Sequence, residues 1–381
     1  MIKNSITLLG LIVLMNFASC STSKTARGLS KPAVLEMMQK TNRYFMDKWP
    51  DAGKSIFTNI ERPSNIWTRA VYYEGLMALY SVDPRQEYID YAIQWGEKHR
   101  WGLRGGINTR NADNQCCGQT YLDLYVMGNR QHPERLKDIK SSIDLMMAGS
   151  KIDDWTWIDA LQMGMPVFVR LGNITGDTNY FKRMYEMYAS TKYKQGGNGL
   201  YNPADKLWWR DKDFVPPYKE PNGADCYWSR GNGWVVGALA RTLEQLPKSD
   251  PHYAEYLQDF KDMIEALLPL RRKDGFWNVS LEDPTHFGGK ELSGTALFLY
   301  GMAWGINQKI LDEKKYKPVI ESSFAAILKH CIHPSGKLGY VQGTGKEPKD
   351  GQPVNFESTP DFEDYGLGCV LLAGTEYLKM K

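Results

Sequence analysis

Two kinds of helical segment alternate along this chain, and the alternation constrains the fold more than any single motif does. One kind sets small residues among apolar ones: Gly75 and Ala78, Gly118, Ala160 and Gly164, Gly237 and Ala238, Gly294, Ala296 and Gly301, Gly368 and Ala373. The segments between them are more charged, as in PERLKDIKSSIDLMM and PHYAEYLQDFKDMIEALL. Small side chains let helices approach closely, whereas charged faces require solvent. Apolar spacing and cap residues predict about twelve helices in all. They run from a cap at Ser30 to Lys48, then over 68–82, 84–101, 112–127, 133–148, 158–174, 179–194, 231–246, 252–270, 292–306, 316–330 and 365–380. Alternation over six pairs predicts an all-α fold, an inner ring of six helices wrapped by an outer six: the (α/α)6 barrel. A superhelical repeat is the competing architecture, but the sequence carries no fixed period. One large core implies one domain, spanning 31–381.

In such a barrel the loops that enter the inner helices share one end. These loops hold Arg62 and Trp67, then 104–113, 153–159, 208–234, 276–291 and 340–365, and they concentrate Trp, Arg, Asn and Asp. Loops on a rigid scaffold are where binding and catalysis gather. The chain contains 12 Trp and 22 Tyr, many beside Gly, Asn, Asp and Arg, where core packing explains them least. Aromatic faces with polar neighbours suit sugar rings. A net charge of +3, with Lys and Arg spread along the chain, gives no support for a nucleic-acid partner.

The stretch DWTWIDALQMGMPVFVR, 154–170, delivers Asp159 to the mouth of an apolar helix between indole rings, with a kink expected at Pro166. A poorly hydrated carboxyl there holds its proton towards neutrality. The alternative is a helix cap with no chemistry. Asp113, in RNADNQCCGQTYLDLY, enters the fourth predicted helix in the same way. If both face one cavity, each charge raises the other's affinity for a proton, so one carboxyl can serve as acid while the other stays ionised. In WSRGNGW, Trp228 and Trp234 offer stacking walls and Arg230 a fork of donors for a carboxylate; a structural Arg–Asp pairing is the alternative. Trp208-Trp209-Arg210-Asp211 is either a further wall or an exposed ion pair.

Several chemistries lack their signatures. His330-Cys331-Ile332-His333 has no further ligands nearby, so no metal is expected. The chain has neither a phosphate loop nor a dinucleotide fingerprint nor a G-x-S-x-G elbow, and no cofactor is expected.

Residues 1–19 read as an export signal, with Lys3, an apolar run from Ile6 to Phe17 and small residues after it. Ala18-Ser19-Cys20 resembles a lipoprotein processing site, with Cys20 as the lipid attachment point and 20–30 as a flexible tether. This reading places the protein in the periplasm or at the outer membrane. The other cysteines, Cys116, Cys117, Cys226, Cys331 and Cys369, form no regular framework and read as buried thiols.

WTRAVYYEGLMALY, WIDALQMGMPVFVRLGNITGD, WSRGNGW, ELSGTALFLYGMAWGIN and YGLGCVLLAGTEYL, in this order, resemble the unsaturated uronyl hydrolases of glycoside hydrolase family 105. The resemblance runs from about Pro32 to the C-terminus. It implies the same barrel, no metal, and action on oligosaccharides left by polysaccharide lyases. It also implies protonation at C4 of a 4,5-unsaturated uronic acid by the residue matched by Asp159, followed by addition of water at C5. By the same resemblance Asp113 holds the sugar and tunes Asp159, Arg230 and Trp234 bind substrate, and Trp67 and Tyr73 lie at the subsite edge. Gly199-Leu200-Tyr201 is followed by Asn202 and not by the histidine of several pectin-acting members. That leaves ulvan-type and rhamnogalacturonan-type uronyl–rhamnose substrates both open. A polysaccharide lyase on the same barrel and a non-catalytic sugar-binding lipoprotein are the rival functions.

Overall fold

The computed structural model describes residues 29–57, 60–358 and 364–381; the export signal, Cys20 and most of the tether lie outside them. Helix α1, Lys31–Lys48, starts at the predicted cap, where Ser30 accepts a hydrogen bond from the Ala33 amide at 3.4 Å. Then come α2 (Trp67–Val82), α3 (Gln86–Lys98), α4 (Ala112–Gln115), α5 (Gly118–Met127), α6 (Glu134–Ala148), α7 (Asp159–Thr175) and α8 (Asn179–Tyr193). The series ends with α9 (Ser229–Gln245), α10 (Tyr253–Leu267), α11 (Leu292–Asn307), α12 (Glu313–His330) and α13 (Asp364–Lys379).

The ring closes. Helix α2 packs on α5, α5 on α7, α7 on α9, α9 on α11, α11 on α13, and α13 back on α2. Helices α1, α3, α6, α8, α10 and α12 cover α13, α2, α5, α7, α9 and α11 from outside. The alternation in the sequence is therefore the alternation of inner and outer rings in a six-hairpin (α/α)6 barrel.

Small residues let the inner helices meet backbone to backbone. A Cβ on Gly75 would fall 2.6 Å from the Gly368 carbonyl oxygen, and one on Gly368 would fall 2.2 Å from that of Val71. At this crossing of α2 and α13 only glycine fits. The closure is tied further by Arg69, whose Nε donates to Asp364 at 2.5 Å with both side chains buried. The guanidinium lies over the Phe45 and Trp49 rings.

Two local features depart from the sequence reading. The predicted fourth helix is broken at Cys116 and Cys117, leaving α4 as a single turn that carries Asp113. Two short antiparallel hairpins also appear, β1 (Ile56–Phe57) with β2 (Glu61–Arg62) and β3 (Tyr201–Asn202) with β4 (Leu207–Trp208). Pro166 stays inside an unbroken α7, where the carbonyl of Pro166 accepts from Arg170 at 3.3 Å. The helix stops at Gly176, whose φ of 74° closes it in the left-handed conformation. The five described cysteines are buried free thiols.

Candidate active site

The N-terminal ends of the inner helices α2, α7 and α9, with the single turn α4, line a cavity of about 180 Å³. Trp67 enters from α2, Asp113 from α4, Asp159 and Met163 from α7, and Arg230 and Trp234 from α9. Trp157, Arg210, Trp228, Thr344 and Gly345 complete the lining from loops. The structure therefore brings together Asp113, Asp159, Arg230, Trp228, Trp234 and Trp67, residues drawn from four separate stretches of sequence. Tyr73 is corrected. It is fully buried and stacks on Trp95 with ring centroids 4.0 Å apart, away from the cavity. Six residues along α2 from Trp67 amount to well over one and a half turns, which turns its side chain to another face of the helix.

Asp159 is the first residue of α7, yet its side chain caps nothing. Oδ2 accepts from Arg210 Nη2 at 3.1 Å and Nε at 3.3 Å, while Oδ1 is buried without a partner. Burial raises its pKa, opposed by the Arg210 and Arg230 guanidinium groups. Asp113 lines the same cavity, and no side chain among the described residues hydrogen-bonds its carboxyl. Burial first, then the charge on Asp159, push its pKa up to about 7, against the pull of Arg210 and Arg104. Two carboxyls in one small cavity titrate as a pair, and near neutrality such a pair holds one proton between them.

The sequence offers Arg210 only as one part of a wall or an exposed pair. Its position follows from the second hairpin. Tyr201 pairs with Trp208, Trp157 bridges to Asp211, and the Ile158 amide donates to the Arg210 carbonyl at 3.0 Å. These contacts pin residues 208–211 against the entrance of α7. Nη1 of Arg210 holds Asp211 at 2.6 Å, so one guanidinium spans two carboxylates. Sequence spacing carries no signal for this, because Arg210 and Asp159 lie in different elements 51 positions apart.

Arg230 is fully buried, with its guanidinium between the Trp228 and Tyr365 rings. Nη1 donates to the Gln342 carbonyl at 2.9 Å and Nη2 to that of Gly343 at 2.8 Å, leaving only Nε without a partner. Trp228 donates to the Gln342 side-chain oxygen at 2.9 Å, and the Tyr365 hydroxyl donates to the Gln342 carbonyl. Arg230 and Trp228 thus hold the 342–345 loop that supplies Thr344 and Gly345 to the cavity. Trp67 meets Trp234 edge to face at 6.2 Å and Tyr365 at 5.3 Å, which forms an aromatic wall.

The family model described as Glycosyl Hydrolase Family 88 matches residues 37–381. The chain belongs to this family. The chain is 30% identical over 333 residues to the unsaturated 3S-rhamnoglycuronyl hydrolase of Formosa agariphila, covering 83% of this chain and 85% of that protein. A solved family 88 glycosyl hydrolase from Bacteroides vulgatus superposes with a TM-score of 0.81 at 30% identity, covering 92% of this chain and 99% of that one. A solved structure described as a polysaccharide lyase superposes with a TM-score of 0.82, also at 30% identity, covering 91% and 97%. The family 88 protein described here is a glycoside hydrolase of the unsaturated glycuronyl hydrolase type. The family model names 88 where the sequence motifs resembled 105, so the common ground is the broader class.

Proposed function

We propose that this family 88 protein, of the family 105 type, removes the 4,5-unsaturated uronic acid from the non-reducing end of lyase-generated uronyl–rhamnose oligosaccharides. The observation that carries the reading is the pair of cavity carboxyls, Asp113 and Asp159, both with raised pKa and the first at about 7. An enol ether needs a proton at carbon, and a carboxylic acid still protonated near neutrality supplies it. The name of the Formosa relative supports a uronyl–rhamnose substrate. A cavity of about 180 Å³ suits one terminal sugar and not several; drug-sized ligands fill about 300–1,000 Å³.

Asp159 donates its proton to C4, and positive charge develops at C5, shared with the ring oxygen. The ionised Asp159 then takes a proton from water as the water oxygen bonds to C5. The resulting hemiketal opens to a C5 ketone, and the hemiacetal left at C1 collapses to release the rhamnosyl partner. Asp113 shares the cavity proton and holds the sugar, while Trp67 and Trp234 face its ring. We place the enzyme outside the cytoplasm, anchored through Cys20.

The test is the ultraviolet absorbance of the conjugated double bond in digests prepared with ulvan lyase and with rhamnogalacturonan lyase. Loss of absorbance together with release of the neighbouring sugar supports the hydrolase. Gain of absorbance from intact polysaccharide would instead make this protein a lyase, the description carried by one of its structural neighbours.

A further inference from the structure

Two guanidinium groups reach the cavity, and only one of them is free to change partner. Arg230 is fully buried with its Nη donors committed to main-chain carbonyls. Arg210 has a side chain 18% exposed, and the three side-chain hydrogen bonds it donates all go to carboxylates, two to Asp159 and one to Asp211. Exchanging one carboxylate for another costs little hydrogen bonding, whereas stripping Arg230 from its carbonyls would orphan that of Gly343 and leave that of Gln342 with the Tyr365 hydroxyl alone.

The charge balance points the same way. Asp113, Asp159 and Asp211 confront Arg210 and Arg230, with Arg104 acting on Asp113 alone. A uronate adds one more negative charge to a buried site. In such surroundings excess charge of one sign is relieved most cheaply by binding a proton. The acid that attacks C4 must itself be protonated, yet in the free enzyme its Oδ2 is held by a cation that favours the ionised form.

We propose that Arg210 is the residue that grips the uronate carboxylate, and that this contact draws Arg210 off Asp159, so that the anionic substrate itself loads one solvent proton onto the acid. The inference rests on the hydrolase reading above. It makes recognition of the charged sugar and arming of the acid a single event. Arg210 then sets specificity for a free carboxylate, and it does so as a positioning residue for the proton.

The experiment compares an unsaturated disaccharide bearing a free carboxylate with its methyl ester, following loss of double-bond absorbance by the full-length enzyme. A charge-assisted hydrogen-bonded contact implies a kcat/KM preference of about 10- to 100-fold for the free acid. Arg210→Gln should lose most of that preference, and Arg210→Lys should recover part of it. Calorimetry in two buffers of different ionisation enthalpy, with a saturated uronate as probe, should show proton uptake on binding by the wild type and none by Arg210→Gln. Should Arg210→Gln fail to fold, Arg210→Lys carries the comparison through a reduced preference. A folded Arg210 variant that keeps the full preference for the free acid overturns the proposal. A wild-type enzyme that consumes neither substrate overturns the hydrolase reading instead.

Discussion

Asp113 reaches the cavity from the single turn α4 and Asp159 from the first turn of the inner helix α7, and the charge on Asp159 is, after burial, the largest cause holding the pKa of Asp113 at about 7. The pair therefore binds a proton in a range where isolated carboxyls do not. The protonated pair is the active form, so kcat/KM should be flat at low pH and fall as pH rises through about 7. In Asp113→Asn the group that titrates at about 7 is gone, and this basic limb should move to lower pH. A pH–rate profile of both proteins checks the shift.

The same residue should mark the stability curve. The pKa of Asp113 is raised from 3.8 to about 7 on folding, so its contribution is fully present below about pH 4 and is lost as pH rises through about 7. Asp113→Asn should match the wild type near pH 4 and exceed it above pH 7. The gain should be ~1–2 kcal/mol, discounted because Asp113 is partly open to the cavity. Thermal unfolding at the two pH values measures it.

Arg230 carries structure as well as any contact to sugar. Arg230→Met would leave the Gly343 carbonyl without its donor, at a cost of about 1–3 kcal/mol for a buried orphan, and the Gln342 carbonyl with the Tyr365 hydroxyl alone. The expected result is a lower melting temperature together with lost activity, because the 342–345 loop forms part of the cavity. Unchanged stability with a raised KM would assign Arg230 to substrate alone.

The glycine crossing of α2 and α13 admits no side chain. Gly368→Ala would place a methyl 2.2 Å from the Val71 carbonyl oxygen, backbone that cannot swing aside. Destabilisation of ~1–3 kcal/mol or more is expected. Denaturant unfolding of Gly368→Ala beside an exposed-face control such as Glu36→Ala checks that the effect is local.

Much of this was legible before any coordinates. The barrel could be read because ring closure imposes a compositional demand, small residues inside and charged ones outside, that repeats with every hairpin. Asp113, Asp159, Trp67, Trp228, Arg230 and Trp234 could be found because helix entrances share one end of such a barrel. Arg210 was present as a residue but not as a partner of Asp159. Its place depends on a two-residue hairpin and a single bridge from Trp157 to Asp211, which leave no periodic trace. Tyr73 was misplaced because a motif gives proximity in sequence, whereas helical rotation decides which way a ring points. The break at Cys116 and Cys117 falls inside an otherwise continuous apolar pattern, so periodicity could not mark it.

Asp159 as the proton donor is tested by Asp159→Asn, assayed by loss of double-bond absorbance on an unsaturated uronyl–rhamnose disaccharide. Turnover should fall by ~10²–10⁴ with the thermal midpoint within a few degrees of wild type. A folded Asp159→Asn enzyme that consumes the double bond at close to the wild-type rate would contradict it.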